Sequence, residues 1–203
     1  MTLKAAFLDQ AGHCEALGSP FMGQLCRLLG NRWSDDLPLA AKFAGWQGDI
    51  GPLGASLPLR LAGGLHALVL TNRDAALTAA YPPNQTNDET LWAAVSNALH
   101  THVTFLDRWT DTAPQTNEVR RCVALIAVGQ WLATRYALPL TLSELGASGG
   151  LNLMWDHFAL DINDTSFGPN KPALRLAPDW TGPLPPSAIP TVIDRRGVDL
   201  NPL

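Results

Sequence analysis

The sequence predicts a mostly α protein with a small α/β part. Apolar residues recur at helical spacing through the first half of the chain, and a period of two appears only after residue 138. Proline and glycine punctuate the segments between these patterns at an ordinary density, 16 and 17 residues respectively, so the chain reads as globular. The expected organisation is a helical region over residues 1–110 and an α/β unit opening over 111–203.

The elements follow in order. Leu3, Phe7, Gln10, Cys14 and Leu17 share a helical spacing that stops at Gly18. Ser19-Pro20 supplies a cap and a proline at the first helical position, and Phe21, Leu25, Leu28 and Leu29 carry that helix to Gly30-Asn31. Leu59 to Leu70 is a third apolar segment, interrupted by Gly63-Gly64, and Ala75 to Tyr81 a short fourth, ended by Pro82-Pro83. Leu91, Val95, Leu99, Val103 and Leu106 predict one long helix from Thr90 to Trp109. Thr116 or Asn117 caps the next, from Glu118 to Tyr136. Leu138 to Leu145 then alternates as a strand does. A second strand falls at Thr191-Val192-Ile193 or later, ending at Gly197-Val198-Asp199. Asp161 to Pro190, with seven of the sixteen prolines, reads as loop.

Composition excludes several classes of function. The formal charge is −4 and the pI near 5.6, which gathers neither nucleic acid nor an anionic membrane. Three cysteines without a CxxC fit a reduced, cytoplasmic protein. A charge interrupts the N-terminus before a signal-peptide core forms, and the most apolar window, Cys122 to Val128, is too short to span a bilayer. His100 and His102, two apart on a helix, face different directions, and His13 beside Cys14 has the same problem, so no metal site is expected. His157 beside Asp156 suggests acid–base chemistry but lacks a third partner, and reads as a surface histidine. Trp92 and Trp131 read as core, whereas Trp46 lies on a loop.

The run from Leu142 to Leu153, LSELGASGGLNL, is where chemistry concentrates. A strand ends in a carboxylate, a glycine-rich turn follows, and a helix is expected to start, which is the geometry that cradles a phosphate or nucleoside. The dinucleotide pattern GxGxxG finds one of its three glycines, Gly146. The looser E/D-x-G-x-G-x-G pattern of S-adenosylmethionine-dependent methyltransferases finds Glu144, Gly146 and Gly150, with Ser148 as a small residue at the miss. The second template fits better, and Asp199 has the form of the acid that ends the second strand of a Rossmann-like sheet and holds the ribose. The bland reading is a glycine turn with no ligand. Asn117, Glu118 and Arg121, in the polar window just before α-helical periodicity resumes, form a second cluster. There the bland reading is a capped helix with Glu118 at the positive dipole end, or a Glu118–Arg121 pair.

Six ordered segments together resemble a bacterial family, domain of unknown function 2332. They are Leu17–Phe21, Ala44–Asp49, Leu57–Leu61, Pro114–Arg121, Glu144–Leu153 and Arg195–Leu200. The resemblance covers essentially the whole chain. It implies a helical N-terminal region joined to a methyltransferase-like Rossmann unit, and adds weight to Glu118, Arg121, Glu144 and Gly146. The leading reading, from the motif, is S-adenosylmethionine as cofactor, bordered by Asn117, Glu118, Arg121, Glu144, Gly146, Ser148, Gly150 and Asp199, with no metal. The expected partner is a small molecule, with a second copy of the chain as a way to cover the small sheet. The resemblance also leads one to expect a sheet continuing past Asp199, so that this chain holds only the first strands and binds the cofactor weakly. The alternatives are a non-catalytic helical module that binds a ligand or a protein, and a nucleotide binder using the helix N-terminus after Gly150.

Overall fold

The computed structural model describes residues 1–115 and 117–200. Thr116, one of the two expected caps, and the final residues Asn201, Pro202 and Leu203 lie outside the described residues. Helix accounts for 50% and strand for 12%, so the chain is mostly helical with a small sheet part. It divides into two units, Met1–Pro114 and Gln115–Leu203.

The first unit contains α1 (Leu3–Ala16), α2 (Pro20–Arg32), α3 (Ala40–Ala44), α4 (Leu57–Leu70), α5 (Ala75–Ala80), α6 (Asp88–Thr101) and α7 (Val103–Asp111). Local chemistry sets the starts of several. Thr2 Oγ1 accepts from Ala5 N–H at 3.2 Å, Asp74 Oδ1 from Leu77 N–H at 2.8 Å and Asn87 Oδ1 from Thr90 N–H at 2.8 Å. Ser19 precedes Pro20 as expected, but its side chain makes no capping bond. Phe7, Leu25, Leu29, Leu57, Leu61, Leu65, Leu68, Leu91, Val95, Leu99 and Leu106 are fully buried and form the core.

Two expectations change here. Gly63-Gly64 does not interrupt α4, because Gly64 serves packing: a Cβ there would lie 2.8 Å from Leu106 Cδ2 and 3.1 Å from Trp109 Cδ1. The long helix from Thr90 to Trp109 is two helices, α6 and α7, that meet at His102 (φ −111°, ψ 25°). His102 Nε2 lies 3.1 Å from the buried Asp74 Oδ2, so a tertiary contact holds the residue where the helix breaks. The apolar stripe continues across the break, which explains why periodicity alone could not reveal it.

The second unit begins with a 3-10 turn, Val119–Arg121, that runs directly into α8 (Cys122–Tyr136). Then come β1 (Leu140–Leu145), a seven-residue 3-10 helix (Leu151–His157), β2 (Phe158–Ile162), β3 (Thr165–Phe167), β4 (Leu174–Leu176) and β5 (Val192–Val198). β1 and β5 form a parallel pair in which Leu142 faces Arg195, Glu144 faces Gly197 and Leu145 faces Val198. β2 pairs antiparallel with β3 and parallel with β4 in a separate three-stranded sheet. Cys122, Ile126, Trp155, Phe158, Leu160, Ile162 and Phe167 make the core.

Three features of this unit differ from the sequence expectation. The stretch from Asp161 to Pro190 is not all loop. It holds most of the three-stranded sheet, whose β3 and β4 are only three residues long, while β2 is buried on both faces and so shows no alternation. The α-helix expected after Gly150 is a 3-10 helix. Arg195 Nε donates to Leu153 O at 3.1 Å and Cys122 Sγ donates to Asn152 Oδ1 at 3.2 Å, so tertiary partners hold groups within it. Trp131 is not core but 49% exposed, beneath Arg135 on the outer face of α8, whereas Trp92 does pack against the first unit's core. The two alternatives for the second strand are one strand, β5.

Candidate functional site

The turn that follows β1 has an alternating backbone. Gly146 (φ +72°), Ser148 (φ +49°) and Gly150 (φ +70°) are all left-handed. This is the physical content of the G-x-G-x-G spacing, since every second residue must adopt a conformation that a Cβ disfavours by roughly 1–2 kcal/mol. Ser148, the one non-glycine of the three, is held from both sides. Its N–H donates to Asp199 Oδ2 at 2.8 Å, and its Oγ accepts from Asn117 Nδ2 at 2.9 Å. Asn117 Oδ1 in turn accepts from Leu151 N–H at 3.4 Å. Gly146 and Ala147 N–H both donate to Val198 O, fastening the turn to the end of β5.

Ser148→Gly is therefore expected to change stability by less than about 1 kcal/mol, because relief of the left-handed strain offsets the lost hydrogen bond. Ser148→Ala keeps the strain and loses the bond. Urea unfolding should find it less stable than the glycine variant by about 1 kcal/mol or more.

Glu144 is half-buried on the inner face of β1, and its Oε2 has no hydrogen-bond partner. Cys122 lies close enough that burial and the Glu144 charge together push its thiol up to about 11. A thiol at that value stays protonated and is no nucleophile. Around Gly146 a Cβ would meet nothing within 4 Å, so open space lies against the backbone there. Gly197 is the opposite case: a Cβ would sit 2.7 Å from that of Ala147, so glycine lets β5 approach the turn.

The structure brings Asn117, Glu144, Gly146, Ser148, Gly150 and Asp199 together around one turn. The other two of the expected residues do other work. Glu118 Oε1 accepts from Arg120 N–H at 3.2 Å and so starts the 3-10 turn, in place of a pair with Arg121. Arg121 is exposed at the mouth of α8. Sequence reasoning missed the pair that braces the turn from below. Arg195 Nη2 donates to Asp156 Oδ2 at 2.6 Å, tying β5 to the 3-10 helix, while His157 Nε2 stands 3.9 Å from that oxygen. The signal was present in Arg195 itself, a charge facing inward from a strand position opposite Leu142.

These features define a class: a helical unit followed by a small α/β unit whose first strand ends in a carboxylate and a glycine-rich turn. A bacterial family described as an uncharacterized protein conserved in bacteria, domain of unknown function 2332, matches residues 4–203, and the chain belongs to it. No curated protein and no solved structure matches it. No helix among the described residues is long and apolar enough to cross a membrane, and none of their His, Cys, Asp and Glu side chains cluster in threes that would hold a metal.

Proposed function

We propose that the turn between Glu144 and Gly150, closed by Asp199, is the S-adenosylmethionine site of a Rossmann-like, methyltransferase-related unit. The observation that carries this reading is the 2.8 Å bond from Ser148 N–H to Asp199 Oδ2. It sets the acid that ends β5 beside the left-handed turn that ends β1, on two parallel neighbours. In open α/β sheets a ligand binds outside the carboxyl ends of such strands.

The residues fit the group. S-adenosylmethionine supplies a methyl group on a sulfonium. The open space at Gly146 admits the ligand close to the backbone, and the half-buried Glu144 carboxylate puts negative charge near its cationic methionine end. Asp199 accepts from the ribose hydroxyls, exchanging the Ser148 N–H for them. Two strand ends contribute among the described residues, so binding is expected to be weak. The buried, unpaired cysteines support a reducing compartment.

Calorimetry with S-adenosylhomocysteine, NAD and ATP tests this. The expected result is weak, saturable binding of S-adenosylhomocysteine that is lost in Asp199→Ala and in Gly146→Val, whose β-branched side chain both strains the turn and fills the open space. Equal affinity for ATP or NAD, or binding unchanged in both variants, overturns the assignment. A second reading, a non-catalytic interaction module, rests on Leu125, Val128 and Trp131, which lie exposed along one stripe of α8.

A further inference from the structure

A cavity of about 230 Å³ opens in the second unit between α8, the 3-10 helix and the Ala188–Pro190 segment. Ile126, Trp155, Phe158 and Pro190 give it apolar walls. Two polar side chains interrupt them. Gln130 is 1% exposed, and its Oε1 accepts from Ala188 N–H at 2.8 Å. That bond fixes the orientation of the carboxamide and leaves Nε2 as a donor with no acceptor among the described residues. Asp156 also lines the cavity. Its Oδ2 is taken by Arg195, but its Oδ1 is buried without a partner.

We infer that this cavity is a second small-molecule site that takes a neutral aromatic or heteroaromatic ring bearing an amide group. The ring suits the Trp155, Phe158 and Ile126 walls. The amide carbonyl accepts from Gln130 Nε2, so the ligand satisfies a donor that has no acceptor among the described residues. Charge points the same way: Asp156 is already neutralised by Arg195, and a charged ligand would be desolvated with no counter-ion. Ile189, 92% exposed at the rim, is an apolar side chain that such a ring would cover. The wall is also set in advance, since Gln130 anchors the backbone of the same segment that closes the cavity.

The inference is independent of the S-adenosylmethionine reading, and S-adenosylhomocysteine is not expected to displace the ligand. The test is an NMR titration of the chain with benzamide and, as its apolar counterpart, toluene. Benzamide is expected to saturate at least ~10-fold more tightly than toluene, a difference of about 1.4 kcal/mol. Gln130→Glu keeps the oxygen that holds Ala188 N–H and removes the donor. It should weaken benzamide by about tenfold and leave toluene unchanged. Should that variant fail to fold, Ile189→Asp at the exposed rim replaces it and is expected to abolish binding of both probes. Equal affinity for benzamide and toluene, absence of saturation by benzamide, or wild-type benzamide affinity in the folded variant each overturns the proposal and leaves a cavity filled by water.

Discussion

Arg60→Ala is expected to destabilise the Met1–Pro114 unit by about 3 kcal/mol or more. Arg60 lies in α4 and is 9% exposed. Its Nε donates to Ala55 O at 2.6 Å, and its Nη1 to Asp111 O at 2.8 Å and Thr110 O at 3.2 Å. One guanidinium thus closes the loop before α4 and the end of α7. Its plane lies 5.1 Å from the ring centre of Trp46, which explains the loop tryptophan. Burial lowers the pKa of Arg60, with the Asp111 charge opposing, so the cation is held at a desolvation cost that the three carbonyls offset. Truncation leaves those acceptors unpaired, at about 1–3 kcal/mol for each that stays dry, and removes the cover from Trp46. Arg60→Lys, which cannot fork to three carbonyls, should recover only part of the loss. Urea unfolding measures both variants, and a loss under about 1 kcal/mol for alanine would show that water replaces the guanidinium.

Packing of α8 against the 3-10 helix sets the second expectation. Gly129→Ala should destabilise the second unit by about 1–3 kcal/mol and Trp155→Ala by about 3–5 kcal/mol. Trp155 is 5% exposed and lies across Gly129, where a Cβ would sit 2.3 Å from its Cη2 and 2.6 Å from its Cζ3. Neither partner can yield easily, since the ring is buried and the glycine is mid-helix. Trp155→Phe withdraws the outer ring edge that the new methyl strikes. Gly129→Ala should therefore cost less in the Trp155→Phe background than in the wild type, and the double-mutant cycle measures that coupling. Additive losses would mean that α8 moves away as a body and that the contact is loose.

Much of the helical unit was legible in the sequence because its signals are local. The Leu91–Val95–Leu99–Leu106 stripe states its own burial, whereas the caps at Thr2, Asp74 and Asn87 emerge from the structure and the expected cap at Ser19 makes no side-chain bond. The motif around Glu144 was equally readable. A backbone that turns left-handed at every second residue demands glycine or a small residue at a fixed spacing, whatever the rest of the chain does.

Local pattern thus accounts for the helical first region, the strand before the turn, and the turn. Long-range contacts settled the remainder. They broke the Thr90–Trp109 segment at His102 through Asp74, and they held Leu153 and Asn152 in a 3-10 helix through Arg195 and Cys122. They built a sheet from strands of three residues and turned Trp131 outward. They also assembled the cavity at Gln130, whose partner Ala188 lies 58 residues away. Each of these outcomes rests on a contact between residues distant in the chain, and periodicity, a local property, carries no record of which distant groups meet.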